Sequence, residues 1–324
     1  MNLHRRAFLL GFAACVATLP ALSRTGWAQS YPTRAARIIV GFPPGTSSDI
    51  CARLIAQSLS ERLGQQFVVE NRAGAGTNIA AETVVQAAPD GYTLLWVTQT
   101  NAINGTLYTN LKFNFMQDIA PVAGVITVPT VILVNPAVPA KTLSEFIAYA
   151  KANPGKINMS SPGIGSANHV LGELFQMMTG IKLTHVPYKG SQFPDLLSGQ
   201  VQVTFNPLPS SLAFIKDGKL RALAVTSATR PTVLPDVPTV GEIVPGYEGF
   251  AWFGIGAPKN TPKEIVDTLN SAINAGLADP KLKAKLEELG GMPMVVTPAN
   301  FGKFIAAETE KWGKVVKFAN LKVE

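Results

Sequence analysis

The chain has 324 residues, 47% of them hydrophobic and 15% charged, with a formal net charge of +7. That length is enough for two cores of ordinary size, and the mild basicity, without any Lys/Arg run interleaved with aromatics, excludes nucleic acid as the expected partner. Two cysteines and three histidines supply no cluster with metal-ligand spacing, so no metal and no other cofactor is expected.

Residues 1–28 read as an export signal and stay outside the fold argument. Arg5-Arg6 precede an apolar stretch that runs to about Leu22, and Gly26-Trp27-Ala28 places small residues before a cut ahead of Gln29. The arginine pair followed by Phe8-Leu9 resembles a twin-arginine signal. Removing the segment takes away Arg5, Arg6 and Arg24 and leaves Cys51 as the single thiol, so an intramolecular disulfide is excluded. No later stretch reaches the 18 or so consecutive apolar residues of a spanning helix.

From residue 37 onward, strand-like runs alternate with helix-like stripes, which predicts parallel sheets flanked by helices. Ile38-Ile39-Val40 is short and β-branched, as a buried strand should be. Gly41-Phe42-Pro43-Pro44-Gly45 forces a turn, after which Thr46-Ser47-Ser48-Asp49 opens a helix with Ile50, Cys51, Leu54, Ile55 and Leu59 on its apolar stripe. A loop between the carboxyl end of a strand and a helix N-terminus suits an anion, because the first-turn N–H groups lack partners and the dipole end is positive. Asp49 would repel a carboxylate and is read as a residue that stabilises its own helix. Phe42 is read as an apolar wall.

A strand over 66–70, a Gly-rich loop over 71–77, a helix over 78–87, a turn at 89–91 and a strand over 92–97 follow, ending in the polar cluster Thr98-Gln99-Thr100-Asn101. The segment 74–80 lacks the third glycine of a dinucleotide fingerprint and follows the second strand, so it is read as a close loop. Between Pro121 and Pro139, β-rich runs at 122–128 and 131–134 follow one another without a helix, which predicts a crossing into a second domain. Thr142-Leu143-Ser144-Glu145 is a capping box. A strand over 156–159, the loop 160–166 and a helix over 167–178 capped by Ser166 repeat the chemistry of the opening stretch.

Strands over 183–186, 201–205 and 220–225 and a short helix ending at Leu197 complete this half. An extended run over 250–257 crosses back. Two terminal helices then open at Thr261-Pro262 and Thr297-Pro298, each read as a cap followed by proline. Phe301, Phe304, Ile305, Trp312, Val315 and Val316 predict that the last helix packs on the first domain. The expected division is 29–124 with 252–324 as domain 1 and 125–251 as domain 2. Two crossings make a hinge over two facing anion-ready loops.

The motifs Phe42-Pro43-Pro44-Gly45 with Asp49 and Arg53, Val68-Val69-Glu70-Asn71-Arg72, Pro89-Asp90-Gly91-Tyr92, 163–169, Val186-Pro187-Tyr188-Lys189-Gly190 and Pro235-Asp236-Val237-Pro238-Thr239 resemble, in order, those of the Bug family. These are periplasmic solute-binding proteins of tripartite tricarboxylate transporters. The resemblance implies an α/β, two-domain periplasmic-binding-protein fold of the Venus-flytrap, type II-like kind, with a two-stranded crossover hinge. It also implies a monomer that closes on a small organic carboxylate and delivers it to membrane permease subunits. Carried over, the first jaw is Phe42, Pro44, Thr46 and Ser48, joined by Thr98 and Asn101; the second is Ser161, Gly165 and Ser166, with Asn206 nearby. The family usually has Gly where Thr46 stands and often an acid where Asn206 stands. Losing that acid predicts room for a second anionic or polar group on the ligand.

Two other classes compete. A ligand sensor acting on a receptor uses the same hinge and is not separable by sequence. A Ser/His hydrolase would pair Ser161 or Ser166 with His169 as base, but no Gly-x-Ser-x-Gly elbow surrounds either serine. Lys189, which could pair with a carboxylate, is read as an exposed loop lysine.

Overall fold

β1 (Ala36–Val40) is buried on both faces at Ile38, Ile39 and Val40, whose β-branched side chains pack against a helix layer on either side, while Arg37 stays exposed. Residues 31–323 are described by this computed structural model; the expected export signal lies outside the described residues. After β1 come α1 (Ser47–Leu63), β2 (Phe67–Asn71), α2 (Asn78–Val85), β3 (Thr93–Thr98), α3 (Gln99–Leu107) and the short α4 (Phe115–Asp118). β1 pairs in parallel with β2 and β3, as right-handed β-α-β connections require. α1 is capped at Thr46, whose side chain accepts from the Asp49 N–H, and stops at Gly64, which takes the left-handed conformation at φ 69°.

The 16-residue β4 (Ile119–Val134) joins the halves of the molecule. It leads to α5 (Leu143–Ala152), β5 (Asn158–Ser161), α6 (Ala167–Thr179), β6 (Thr184–Pro187), α7 (Phe193–Ser198), β7 (Val203–Pro207), α8 (Leu212–Lys216) and β8 (Arg221–Val225). β9 (Phe250–Pro258) returns, followed by α9 (Lys263–Ala278), α10 (Pro280–Glu288), β10 (Met292–Pro293) and α11 (Pro298–Phe318). The strands form one sheet in the order β2-β1-β3-β9-β4-β7-β5-β6, with β8 and β10 also on β4.

The expected all-parallel arrangement is corrected by this topology. β1–β3 and β5–β7 are parallel groups, but β4 and β9 run antiparallel to each other and to their neighbours. The two β-rich runs at 122–128 and 131–134 are one strand, with Pro121 beside a register shift and Pro129 at the last pair with β9, positions where a missing N–H is tolerated. Pairing then passes from β9 to β7 and β8 at Thr130 and Val131.

Other expectations shift for local reasons. The polar cluster at 99–101 is not a loop but the first turn of α3. Thr261 does not cap α9: its hydroxyl donates to the Pro258 carbonyl at 2.7 Å and Pro262 takes the cap position, whereas Thr297 does cap α11. In the box at 142–145, Thr142 accepts from the Glu145 N–H, but Glu145 reaches back to Lys141 rather than to Thr142.

α11 spans both halves rather than packing on one. Phe301 and Ile305 join the core over Val97 and Trp252, while Trp312 and Val316 belong to the core around Leu171 and Phe175. Between those two segments Glu308, 7% exposed, accepts from the indole N–H of Trp252 at 2.9 Å and of Trp312 at 2.8 Å. Glu308→Ala would strand buried donors on two of the largest core side chains, so a loss of about 2 kcal/mol or more is expected in urea unfolding.

Candidate functional site

Three helix N-termini meet at one cavity of about 430 Å³. Ser47 and Ser48 at the start of α1, Gln99 and Thr100 at the start of α3, and Ala167 and Asn168 at the start of α6 all line it. First-turn N–H groups have no intrahelical acceptor, so six such residues and three positive dipole ends border a common space. Among the described residues that line it, none is Lys, Arg, His, Asp or Glu. The remaining wall is largely apolar, with Phe42 from the β1–α1 loop, Trp252 and Phe253 from β9, and Phe193, Leu197 and Phe214 from α7 and α8, interrupted by polar side chains that include Thr98, Ser191, Gln192 and Asn206.

The first loop is held rigidly beneath this space. Asn71 donates from its amide to both the Phe42 carbonyl and the Asp49 carboxylate, each at 2.9 Å. Asp49 also accepts from the Gly45 N–H at 3.0 Å and pairs with Arg53. Burial acts to raise its pKa, but these hydrogen bonds together hold the carboxyl below its ordinary value. Asp49 therefore serves its own loop, as its position predicts, and is spent before any ligand arrives.

A contact crosses between the halves at the rim. Ser47 Oγ donates to Ser210 Oγ at 2.9 Å and accepts from the Ser210 N–H at 3.1 Å, tying α1 to the turn after β7. Behind it, Asn206 is a hub: its Nδ2 donates to Ser210 Oγ and Ser211 Oγ, both at 2.8 Å, and its Oδ1 accepts from Asn168 and Gln192, both at 3.1 Å.

Of the residues read from sequence, Phe42, Pro44, Thr46, Ser48, Thr98 and Asn206 line the cavity. Asn101, Ser161, Gly165 and Ser166 do not. Asn101 accepts from the Thr98 N–H at 2.8 Å and donates to Thr77, so it shapes the start of α3. Ser166 caps α6 by accepting from the His169 N–H. Gly165 sits at φ 74°, and a Cβ there would overlap Leu107, so this glycine allows the 160–166 loop to lie against α3. Gln99, Thr100, Asn168, Gln192, Phe193 and Phe214 were not among the expected residues. The first two lie in the recognised polar cluster, whereas Phe193 and Phe214 read as ordinary apolar positions of short helices.

The Ser/His pairing drawn from sequence is replaced by a different one. Ser161 Oγ lies 2.7 Å from His185 Nε2 and also within hydrogen-bond reach of the Gly163 carbonyl at 2.9 Å, so the imidazole and the loop backbone share this hydroxyl. Ser161 is fully buried. His169 stacks on His185 with ring centroids 3.6 Å apart, accepts from the Gly165 N–H at Nδ1 and faces Glu173 through Nε2. This is a support beneath the loop, without access to the cavity. Lys189 is exposed and stands away from the lining.

The fold and the cleft define a two-domain solute-binding protein. A family model described as "Tripartite tricarboxylate transporter family receptor" matches residues 51–321. The chain belongs to this TctC family, a family of binding receptors rather than enzymes. It is 37% identical over 331 residues to Protein BugT of Bordetella pertussis, covering 100% of both chains. Among solved structures it is similar to R. palustris Rpa4515 with adipate, at TM-score 0.88 and 38% identity over 90% of this chain and 99% of that one. It is also similar to MatC (Rpa3494) from Rhodopseudomonas palustris with bound malate, at TM-score 0.83 and 31% identity over 88% and 100% of the two chains. No helix among the described residues is long and apolar enough to cross a membrane.

The stacked imidazole pair makes stability depend on pH. Burial, then repulsion from His169, lowers the His185 pKa from its ordinary 6.5 to about 3. The unfolded chain takes up that proton as pH falls through about 6.5 while the native state does not, so stability is lost progressively from there towards pH 3. Melting temperature measured between pH 7.5 and 5 should fall less in His185→Gln than in the unmodified protein.

Proposed function

We propose that this protein is an exported receptor that closes two lobes over a small carboxylate-bearing organic anion and delivers it to the membrane permease subunits of a tripartite tricarboxylate-type transporter. The observation that carries this reading is the meeting of three helix N-termini in a cavity lined by no charged side chain. A carboxylate there is held by charge-assisted hydrogen bonds from oriented N–H groups without burying a cation, at an apolar site where those bonds gain strength. Adipate and malate in the solved relatives are anions of that class.

In this reading the lobes are 29–124 with 252–324 and 125–251, acting as a periplasmic monomer, and the hinge lies where β4 and β9 pass between them. Phe42, Pro44, Thr46, Ser48, Thr98 and Asn206 border the ligand together with Gln99, Thr100 and Asn168. Asn101, Ser161, Gly165 and Ser166 build the loops that present those donors.

Isothermal titration against organic acids, each run beside its neutral amide, tests the reading. One-to-one binding of an acid, absence of binding by its amide and recovery of the acid unchanged are expected. Turnover of the acid, or equal binding of the amide, would sink it. Closure should also depend on the rim contact: Ser47→Ala removes both links to Ser210, and a rise in Kd of about 3- to 10-fold is expected, with little change in the melting temperature of the ligand-free protein.

A further inference from the structure

The two ends of the cavity differ in chemistry. At one end stand the N-termini of α1, α3 and α6, helices of 17, 9 and 13 residues. At the other stand α7 and α8, which contribute Phe193, Pro194, Leu197 and Phe214. Phe193 and Phe214 form a ring pair with centroids 4.6 Å apart and planes 30° from parallel, and both face the space a ligand would fill. α7 has only six residues, so its end charge is small.

Two polar side chains on that distal wall have spent their donors, while the Ser191 hydroxyl accepts from the Phe193 N–H and keeps its own hydrogen. Both Nδ2 hydrogens of Asn206 go to Ser210 and Ser211, and Gln192 Nε2 donates to Thr204 and to Asn206 itself. What Gln192 has left is an acceptor: its Oε1 is buried without a partner. A second carboxylate placed here would meet aromatic faces, whose π-clouds are negative, and the unpartnered Gln192 oxygen, with no cation and only the Ser191 hydroxyl and the Gly190 and Ser191 N–H groups of the loop before α7 to replace its lost water. Asn206 itself, with both amide hydrogens engaged, offers a second anionic group no donor.

We propose that the ligand of this chain is a monocarboxylate whose far end is an uncharged apolar group, best a flat ring, lodged against Phe193 and Phe214, and that the site discriminates against dicarboxylates of the same skeleton. This rests on the carboxylate-receptor reading above and adds selectivity to it. The carboxylate is fixed at the helix starts; the distal wall rewards burial of apolar area and penalises charge.

Matched pairs test it by titration calorimetry on the purified protein: p-toluate against terephthalate and hexanoate against adipate, which differ only in whether the far end is methyl or carboxylate. In each pair the monocarboxylate should bind at least about 10-fold more tightly. Equal or tighter binding of the dicarboxylates would overturn the selectivity while leaving the carboxylate receptor intact. p-Toluamide binding as tightly as p-toluate would instead overturn the receptor reading, and failure of all four acids to bind would overturn both. Phe193→Lys and Phe214→Lys, each checked for folding by circular dichroism, put a cation on the distal wall. The ratio of terephthalate to p-toluate affinity should then rise by about 10-fold or more, and a ratio unmoved in both would refute the assignment of selectivity to this wall.

Discussion

The antiparallel pairing of β4 with β9 is the contact on which the remaining architecture hangs. β4 gives its first eleven residues to β9 and its last five to β7, so one continuous backbone belongs to both halves. β9 then carries Trp252 and Phe253 into the cavity between them. Two covalent crossings side by side allow rotation about their common axis but resist separation. α11 reinforces the junction from outside, with Glu308 holding the indoles of Trp252 and Trp312 at the level of the crossing. Gln99, buried at the start of α3, lines the same cavity beside Trp252, so the first turn of α3 sits against the strand that crosses.

The cavity resolves a problem of charge. An anion in an apolar cleft loses its hydration, and a buried cation placed there beforehand would be as costly when the cleft is open and empty. Helix N-termini avoid this, since their N–H groups are fixed by the helix that carries them and need no partner ion. The side chains that could compete are already engaged, with Asp49 tied to Gly45, Asn71 and Arg53, and Asn206 tied to the serines after β7. On the proposed reading the far wall, with its ring pair and no cation, disfavours a second charge, so that affinity and selectivity come from one arrangement, helix-start donors at one end and aromatic rings at the other.

Local chemistry made much of this legible in the residues. Ile38-Ile39-Val40 followed by a Pro/Gly turn and hydroxyls specifies a strand, a loop and a helix start regardless of surroundings, and Ser166 and Thr297 act as caps as their positions indicate. The motifs from Phe42 to Thr239 sufficed to place the chain in its family. Less visible was α3, because its first turn, Gln99-Thr100-Asn101, has the composition of a loop and becomes helical only when Asn101 caps the Thr98 N–H and the far side of the helix packs on α11. Ser161 and Gly165 were placed at the ligand by the family resemblance. Their side-chain space is taken by His185 and Leu107, partners distant in sequence.

The sequence by itself determined the alternation of strands and helices, the anion-ready helix starts and the double crossing, since each depends on residue type and spacing along a few turns of chain. Tertiary structure alone decided that β4 runs unbroken through both halves, that α11 braces the junction rather than one side, and which end of the cavity is polar. Those outcomes depend on which side chains meet across the fold and which hydrogen-bond donors they consume, and residues such as Phe193, Phe214 and Asn206 acquire their roles only from neighbours that the linear order does not name.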